Sequence, residues 1–321
     1  MSDASQKPLA LLAPLDGSHL AEAVLPTLCQ LARRLSAPVI LLHIVEEKPP
    51  ATVHGERHLT GLEEATHYLD KIADRLRGEG IQVETHVHGP REGDVARSIG
   101  DHHREMGVQL VVLCTHGRGG WRGLLFGSIA QKVLQRGSGP ILLIPSRGVE
   151  APPVFDIHRI LVPVDGTPDH EPALEQAVAL AELFDAELRL VLVIPTLRTL
   201  RGGDAATGLL LPRTMRAVLD LAEQGAAEYL QDVVERCGKA GIVARGQVAR
   251  GDPAPVILDL AEKIPADLIV AATHGRAGLD AILNRSVSAR VAEGVACPIW
   301  LVRVPDSPDT ATDGEKARDG D

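Results

Sequence analysis

The feature that most constrains this chain is that it repeats itself. Leu11-Leu12-Ala13-Pro14-Leu15-Asp16-Gly17-Ser18 returns as Ile160-Leu161-Val162-Pro163-Val164-Asp165-Gly166-Thr167. Thr115-His116-Gly117-Arg118 returns as Thr273-His274-Gly275-Arg276, and Gly139-Pro140-Ile141-Leu142-Leu143-Ile144 as Cys297-Pro298-Ile299-Trp300-Leu301-Val302. The segments come in the same order both times, so the chain is two copies of one domain rather than a short-period solenoid. A length of 321 residues agrees with about two domains. The expected boundaries are 1–148 and 156–304, joined near Ser146 to Asp156, where Ala151-Pro152-Pro153 reads as a stiff linker. Residues 305–321 are acidic, rich in Pro, Asp and Thr, and without apolar anchors, which reads as a disordered tail.

Within each copy, short β-branched runs alternate with amphipathic stretches. The first copy reads as strand one (Leu9 to Leu15), helix one (Leu20, Val24, Leu28, Leu31, Leu35) and strand two (Val39 to Val45). A polar loop from Glu46 to Thr60 follows, then helix two (Leu62, Ala65, Leu69, Ile72, Leu76), ended by Gly78 and Gly80. Strand three is about Ile81 to Val87, helix three starts near Asp94 as N-cap, and strand four, helix four and strand five (Ile141 to Ile144) complete the copy. The second copy follows the same plan with a longer helix two, from about Arg213 to Cys237. Such alternation gives an α/β fold: two tandem doubly wound domains, each a five-stranded parallel sheet with helices on both faces. Ligands of such sheets sit beyond the carboxyl ends of the strands, where the strand order reverses.

Composition narrows the function. Aromatic residues make up 2% of the chain, which leaves no stacking platform for single-stranded nucleic acid, and the formal charge of −10 disfavours a sequence-independent nucleic-acid binder. No apolar run approaches the roughly 20 residues that span a bilayer. The N-terminal segment runs straight into Pro14-Leu15-Asp16-Gly17 and does not read as a signal peptide. Cys29, Cys114, Cys237 and Cys297 show no metal or redox spacing, so reduced thiols in a cytoplasmic protein are expected.

The chemistry concentrates between Leu110 and Ser128. A buried-type strand, Leu110 to Thr115, feeds a Gly-rich stretch, and Ser128 opens a helical pattern (Ile129, Val133, Leu134). A strand, a glycine loop and a helix N-terminus make an anion site, because unpaired N–H groups and the helix dipole point at the ligand. The alternative is an ordinary strand-to-helix connection with glycines at tight turns. Asp16, at the end of strand one, reads either as a ligand contact or as an Asx-turn and helix cap.

The Pro-x-Asp-Gly-Ser end of strand one, the Leu42-His43-Ile44 end of strand two, and Thr-His-Gly-Arg-Gly-Gly followed by Gly127-Ser128 resemble the universal stress protein family. The likeness covers nearly the whole chain, from about Leu9 to Ile144 and from about Ile160 to Val302. Members that bind ATP carry Gly, two residues, Gly, nine residues, Gly, then Ser or Thr. The resemblance implies that Gly117, Gly127 and Ser128 hold phosphates. It also implies that Asp16 contacts the base or ribose end, or a water on Mg²⁺, and that Pro14 and Ile44 pack on the base. Cys114 stands where the pattern has its first Gly, a departure that matters only if the position needs a positive φ.

In the second copy Asp165, Gly275 and Ser286 match Asp16, Gly117 and Ser128, but Ala272 stands at the first Gly and Arg285 at the Gly127 position. Arg285 would either block that pocket or reach over it, so the expectation is a near-intact first site and a degenerate second one. Arg118, Arg122 and Arg276 read either as anion contacts or as exposed loop arginines. His54 and His58, and His102 and His103, lack the setting of a metal site, and none is expected. The segment from Arg198 to Leu211 reads as a mobile flap or docking loop.

The family resemblance implies stress tolerance without a defined reaction. The leading expectation is therefore an ATP-binding regulatory protein that signals through ordering of the Gly-rich loop, with no catalytic residue assigned. A slow ATPase and a nucleotide-free scaffold are the rivals. Ile141 to Ile144 and Ile299 to Val302 are expected to pair within the chain as an intramolecular pseudo-dimer, which leaves a homodimer of whole chains open.

Overall fold

Runs of Val, Ile and Leu too short for a helix and bounded by Pro, Gly or Asp form the strands. The computed structural model describes residues 10–45, 52–53, 56–57, 59–89, 108–116, 139–146, 155–274 and 286–304. Strands of the first copy are β1 (Ala10–Pro14), β2 (Val39–Ile44), β3 (Val83–His88), β4 (Val108–His116) and β5 (Ile141–Ser146). Those of the second are β6 (Arg159–Val164), β7 (Glu187–Ile194), β8 (Ala244–Arg250), β9 (Leu268–His274) and β10 (Ile299–Val304). The described helices of the first copy longer than one turn are α1 (Leu25–Leu35) and α2 (Leu62–Gly78). Those of the second are α3 (Glu171–Phe184), α4 (Gly202–Leu210), α5 (Pro212–Lys239), α6 (Pro253–Lys263) and α7 (Val287–Gly294).

The ten strands form one sheet in the order β8-β7-β6-β9-β10-β5-β4-β1-β2-β3. Each copy contributes five parallel strands in the order 3-2-1-4-5, as expected for a doubly wound domain. The two halves join where β5 and β10 run antiparallel, with Leu143 opposite Ile299, Leu142 opposite Trp300 and Ile141 opposite Leu301. The expected internal pairing is thus present, and it merges two five-stranded sheets into one.

Strand alternation sends side chains to opposite faces. Leu11 and Ala13 enter one core while Ala10 and Leu12 enter the other. At the junction Leu142 and Trp300 pack on the first face, and Ile141, Leu143, Ile299 and Leu301 on the second. The first core runs without interruption through both copies. Phe155, where the described chain resumes after the linker, meets Phe184 of α3 edge-on at 6.3 Å, and Arg34 of α1 lies over the same Phe184 ring at 5.3 Å. The linker core and the tail from 305 lie outside the described residues.

Two sequence expectations change. The single helix expected from Leu20 to Leu35 is a turn of helix, His19–Glu22, followed by α1. Pro26 is the cause: it lacks an N–H and crowds the preceding turn, so the helix restarts with Pro in its first turn. The expected flap from Arg198 to Leu211 contains the nine-residue helix α4, seated where Gly208 approaches Leu200 and Met215. Helix three near Asp94 lies outside the described residues.

Leu142 is fully buried at the junction. Leu142→Ala is expected to cost about 2–5 kcal/mol, read by urea unfolding of the full chain. A cost below about 1 kcal/mol would mean that the junction carries little of the stability.

Candidate nucleotide site at the strand switch points

The strand order reverses between β1 and β4 in the first copy and between β6 and β9 in the second, and both pairs are neighbours. This puts the end of strand one beside the end of strand four, so the Asp-Gly turn and the strand feeding the Gly-rich stretch open on one crevice.

The turn is built the same way twice. Gly17 has φ +92 and Gly166 has φ +81, a backbone that L residues rarely adopt. At Gly17 a Cβ would also lie 2.7 Å from Leu59. Asp16 Oδ1 accepts from the Ser18 N–H (2.9 Å) and hydroxyl (2.6 Å), and Ser18 Oγ in turn accepts from the Ala21 N–H at 3.1 Å. Asp165 Oδ1 accepts from the Thr167 N–H (2.9 Å) and hydroxyl (2.7 Å). Each carboxylate is therefore an Asx-turn acceptor, the alternative weighed for Asp16. In the second copy Oδ2 also lies 2.6 Å from His170 Nδ1. Burial pushes the Asp165 carboxyl up, but His170 and the two Thr167 donors outweigh it and hold the group down to about 2.

Pro14 ends β1 opposite Leu42, and Ile44 ends β2 opposite His88; both are half-buried. His43 between them is buried and donates from Nδ1 to the Leu15 carbonyl at 2.7 Å, which ties β2 to the Asp16 turn. Cys114 sits inside β4 opposite Ile144, and Ala272 sits inside β9 opposite Val302. Neither is among the positive-φ residues, so this strand position does not require glycine.

In the second copy the crevice is a cavity of about 180 Å³, with room for a single ring system. Pro163, Val193 and Ala272 line it at the positions that match Pro14, Ile44 and Cys114, with Asp165 at the rim. Val287 and Ser288, in the first turn of α7, close the far side. Ser286 is the N-cap of α7: its Oγ accepts from the Ala289 N–H at 3.2 Å. The structure thus brings Asp165 and the start of α7 to one cavity. Gly117, Gly127, Ser128, Gly275, Arg118, Arg122, Arg276 and Arg285 lie outside the described residues, as do His54, His58, His102 and His103.

Sequence reasoning missed a second repeated cluster. Tyr68 and Tyr229, the chain's two tyrosines, sit on the two equivalent helices α2 and α5. Burial pushes the Tyr68 phenol up, and the charges of Glu22 and Asp16 push it further. Burial likewise raises Tyr229, helped by Glu171 and Asp165. Glu22 pairs with Arg75 at 3.8 Å and Glu171 with Arg236 at 3.5 Å. The signal was available: Tyr68 and Arg75 recur with the same spacing as Tyr229 and Arg236. Also missed was Asp252, which precedes α6 and is held by both Arg290 nitrogens (3.0 and 2.7 Å) and by Arg201 (3.3 Å).

Comparison with known proteins then decides the family. The family model described as universal stress protein family matches residues 10–145 and again 156–303. The chain belongs to the universal stress protein family. A universal stress protein of Mycolicibacterium smegmatis is 29% identical over 308 residues, covering 91% of this chain and 96% of its own, so the tandem arrangement is shared. One from Methanocaldococcus jannaschii is 31% identical over 147 residues, 46% of this chain and 82% of its own. The crystal structure of a universal stress protein from Archaeoglobus fulgidus superposes with a TM-score of 0.66 at 19% identity, covering 92% of this chain and 97% of that one. That likeness speaks for the fold of this tandem universal stress protein. Among the described residues no helix is long and apolar enough to cross a membrane.

The Asp165 pKa gives a test. Because the folded value of about 2 lies below the ordinary 3.8, its stabilisation is full above pH 3.8 and is lost as pH falls toward 2. The unfolding free energy of the native chain should exceed that of Asp165→Asn at pH 6, and the gap should narrow at pH 2.5. A gap that stays constant across this range would contradict the assigned bonds.

Proposed function

We propose that this tandem universal stress protein is an adenine-nucleotide-binding regulatory protein, with ATP as the ligand and its main site in the first copy. The observations that support the reading are the β1–β4 switch point of the first copy, where the Asp16 turn stands beside the strand that leads toward Gly117, and the apolar cavity at the matching place in the second copy. Pro14 and Ile44 would wall the base, as Pro163 and Val193 wall the matching cavity of the second copy. Asp16 would face the ribose or base end, or a water on Mg²⁺. Gly117, Gly127 and Ser128 would hold the phosphates through backbone N–H groups and a hydroxyl. The residues fit the base end, where the matching cavity is apolar with a carboxylate at its rim. Cys114 and Ala272 lie in extended strand, so they do not argue for a scaffold that has lost its ligand.

The regulatory reading is favoured over a slow ATPase by the state of Asp16. Its Oδ1 already accepts two hydrogen bonds from Ser18, which suits a turn-holding carboxylate better than a base that must take up a proton. In the second copy Asp165, Gly275 and Ser286 keep the pattern, while Arg285 replaces the glycine that would touch phosphate. One working site per chain is the expectation. Placement in the cytoplasm belongs to this proposal.

The test is to denature the purified protein and quantify released nucleotide by chromatography and mass spectrometry. About one ATP per chain is expected, lost in Gly127→Arg with the fold retained. About two per chain would show that Arg285 does not disable the second site. No nucleotide, with no binding when ATP and Mg²⁺ are added back, would overturn the proposal.

A further inference from the structure

The outer strands of the second copy carry a charged cluster that the first copy lacks. Arg189 on β7 and Arg245 on β8 are register partners on neighbouring strands. Both guanidiniums turn to one carboxylate oxygen: Glu187 Oε1 lies 3.1 Å from Arg189 Nε and 2.9 Å from Arg245 Nε. Arg189 Nε and Glu187 Oε1 are both buried, yet neither makes an aligned hydrogen bond among the described residues. No other described carboxylate or carbonyl partners either arginine. Two cations thus share one anion, and one positive charge is left over. The strand registers put Pro38, Ile40 and Glu84 at the matching places of the first copy. Ile40 is buried there among apolar side chains. The fold therefore does not call for arginine at position 189. A guanidinium in that place costs desolvation, and a like charge on the adjacent strand adds repulsion. Groups that cost stability without serving the fold point to a ligand.

The two arginines line a cavity of about 260 Å³. Leu161 of β6, Gln247 of β8, and Leu260 and Ile264 at the C-terminal end of α6 form its other walls. Arg159 Nη1 donates to the Ile264 carbonyl at 2.7 Å, which fixes the helix end that makes the apolar wall. The candidate nucleotide cavity lies at the other end of α6, against Pro253 and Ile257. The two cavities share Val191 of β7 but no charged group.

We propose that this second cavity binds a small monocarboxylate with an aryl or branched aliphatic body. Its walls select that class. One further negative charge balances the two arginines and Glu187, and a carboxylate meets a guanidinium through paired N–H donors. The Gln247 amide offers another donor in the same lining. Leu161, Leu260 and Ile264 cover an apolar body on the far side. The volume admits one ring with a short arm and is too small for a nucleotide. Inorganic phosphate would leave the apolar walls uncovered, and a neutral ring would leave the surplus charge without its partner. The inference is independent of nucleotide binding at the switch points.

Phenylacetate is the probe, titrated into the full chain and followed by calorimetry and by backbone amide chemical shifts. The expected result is about one phenylacetate per chain with a Kd of about 1 mM or below, and shifts at Arg189, Gln247 and Leu260. Neutral phenylacetamide and inorganic phosphate should each bind about tenfold or more weakly. Arg245→Met removes an exposed guanidinium and leaves the Arg189–Glu187 contact in place, so the fold should survive. It should weaken phenylacetate by about tenfold or more, while Glu84→Met, at the matching place of the first copy, leaves binding unchanged. Circular dichroism checks that each variant is folded. No binding at about 20 mM phenylacetate would overturn the proposal, as would binding indifferent to Arg245→Met. Phosphate bound as tightly as phenylacetate would overturn it in favour of a bare anion site.

Discussion

The rest of this structure depends on two strand edges that satisfy each other. A five-stranded parallel sheet ending in Ile141–Ser146 or Ile299–Val304 would present a row of unpaired amides and carbonyls flanked by large apolar side chains, a template for aggregation. In this chain each edge is the other's partner. Leu142 faces Trp300 on one side of the sheet, and Leu143 faces Ile299 and Ile141 faces Leu301 on the other. The pairing thus closes hydrogen bonds and two apolar layers at once, and the first core becomes continuous through both copies. Phe155 enters that core as soon as the described part of the second copy begins.

Pairing of the last strands leaves the switch points between β1 and β4 and between β6 and β9 outside the junction. Strand order reverses beside β1 and beside β6, and the same Asp-Gly turn stands at both places. A positive-φ glycine lets the chain double back, and the aspartate satisfies the donors of the residue two ahead. The two copies then diverge in detail. His43 ties the first turn to β2, whereas Leu192 fills that place in the second copy, and His170 holds Asp165 from the helix side. The two copies thus share one scaffold and differ in the groups that hold the turn.

Much of this was legible because it rests on pattern and repetition. Apolar period and flanking Pro or Gly located the strands, and the order of repeated segments gave two domains and the partner of each last strand. The Asp16 turn was legible as one of two alternatives. What escaped were contacts between residues far apart in sequence: the Tyr68–Glu22–Arg75 and Tyr229–Glu171–Arg236 clusters, and Arg290 reaching back to Asp252. Nothing local marks those partners. The restart of helix one at Pro26 was readable from proline's missing donor, but the apolar stripe from Leu20 to Leu35 masked it. At Cys114 the sequence could not supply the backbone angle, which the extended strand provides.

Hydrogen–deuterium exchange across the junction tests the central claim most directly. If β5 and β10 join the two copies, the amides of 141–144 and 299–302 should exchange only through global unfolding. They should be protected far more than those of the outer strands Val83–His88 and Ala244–Arg250. Exchange at the junction as fast as at those outer edges would contradict the account, because the two copies would then be tethered domains rather than one sheet.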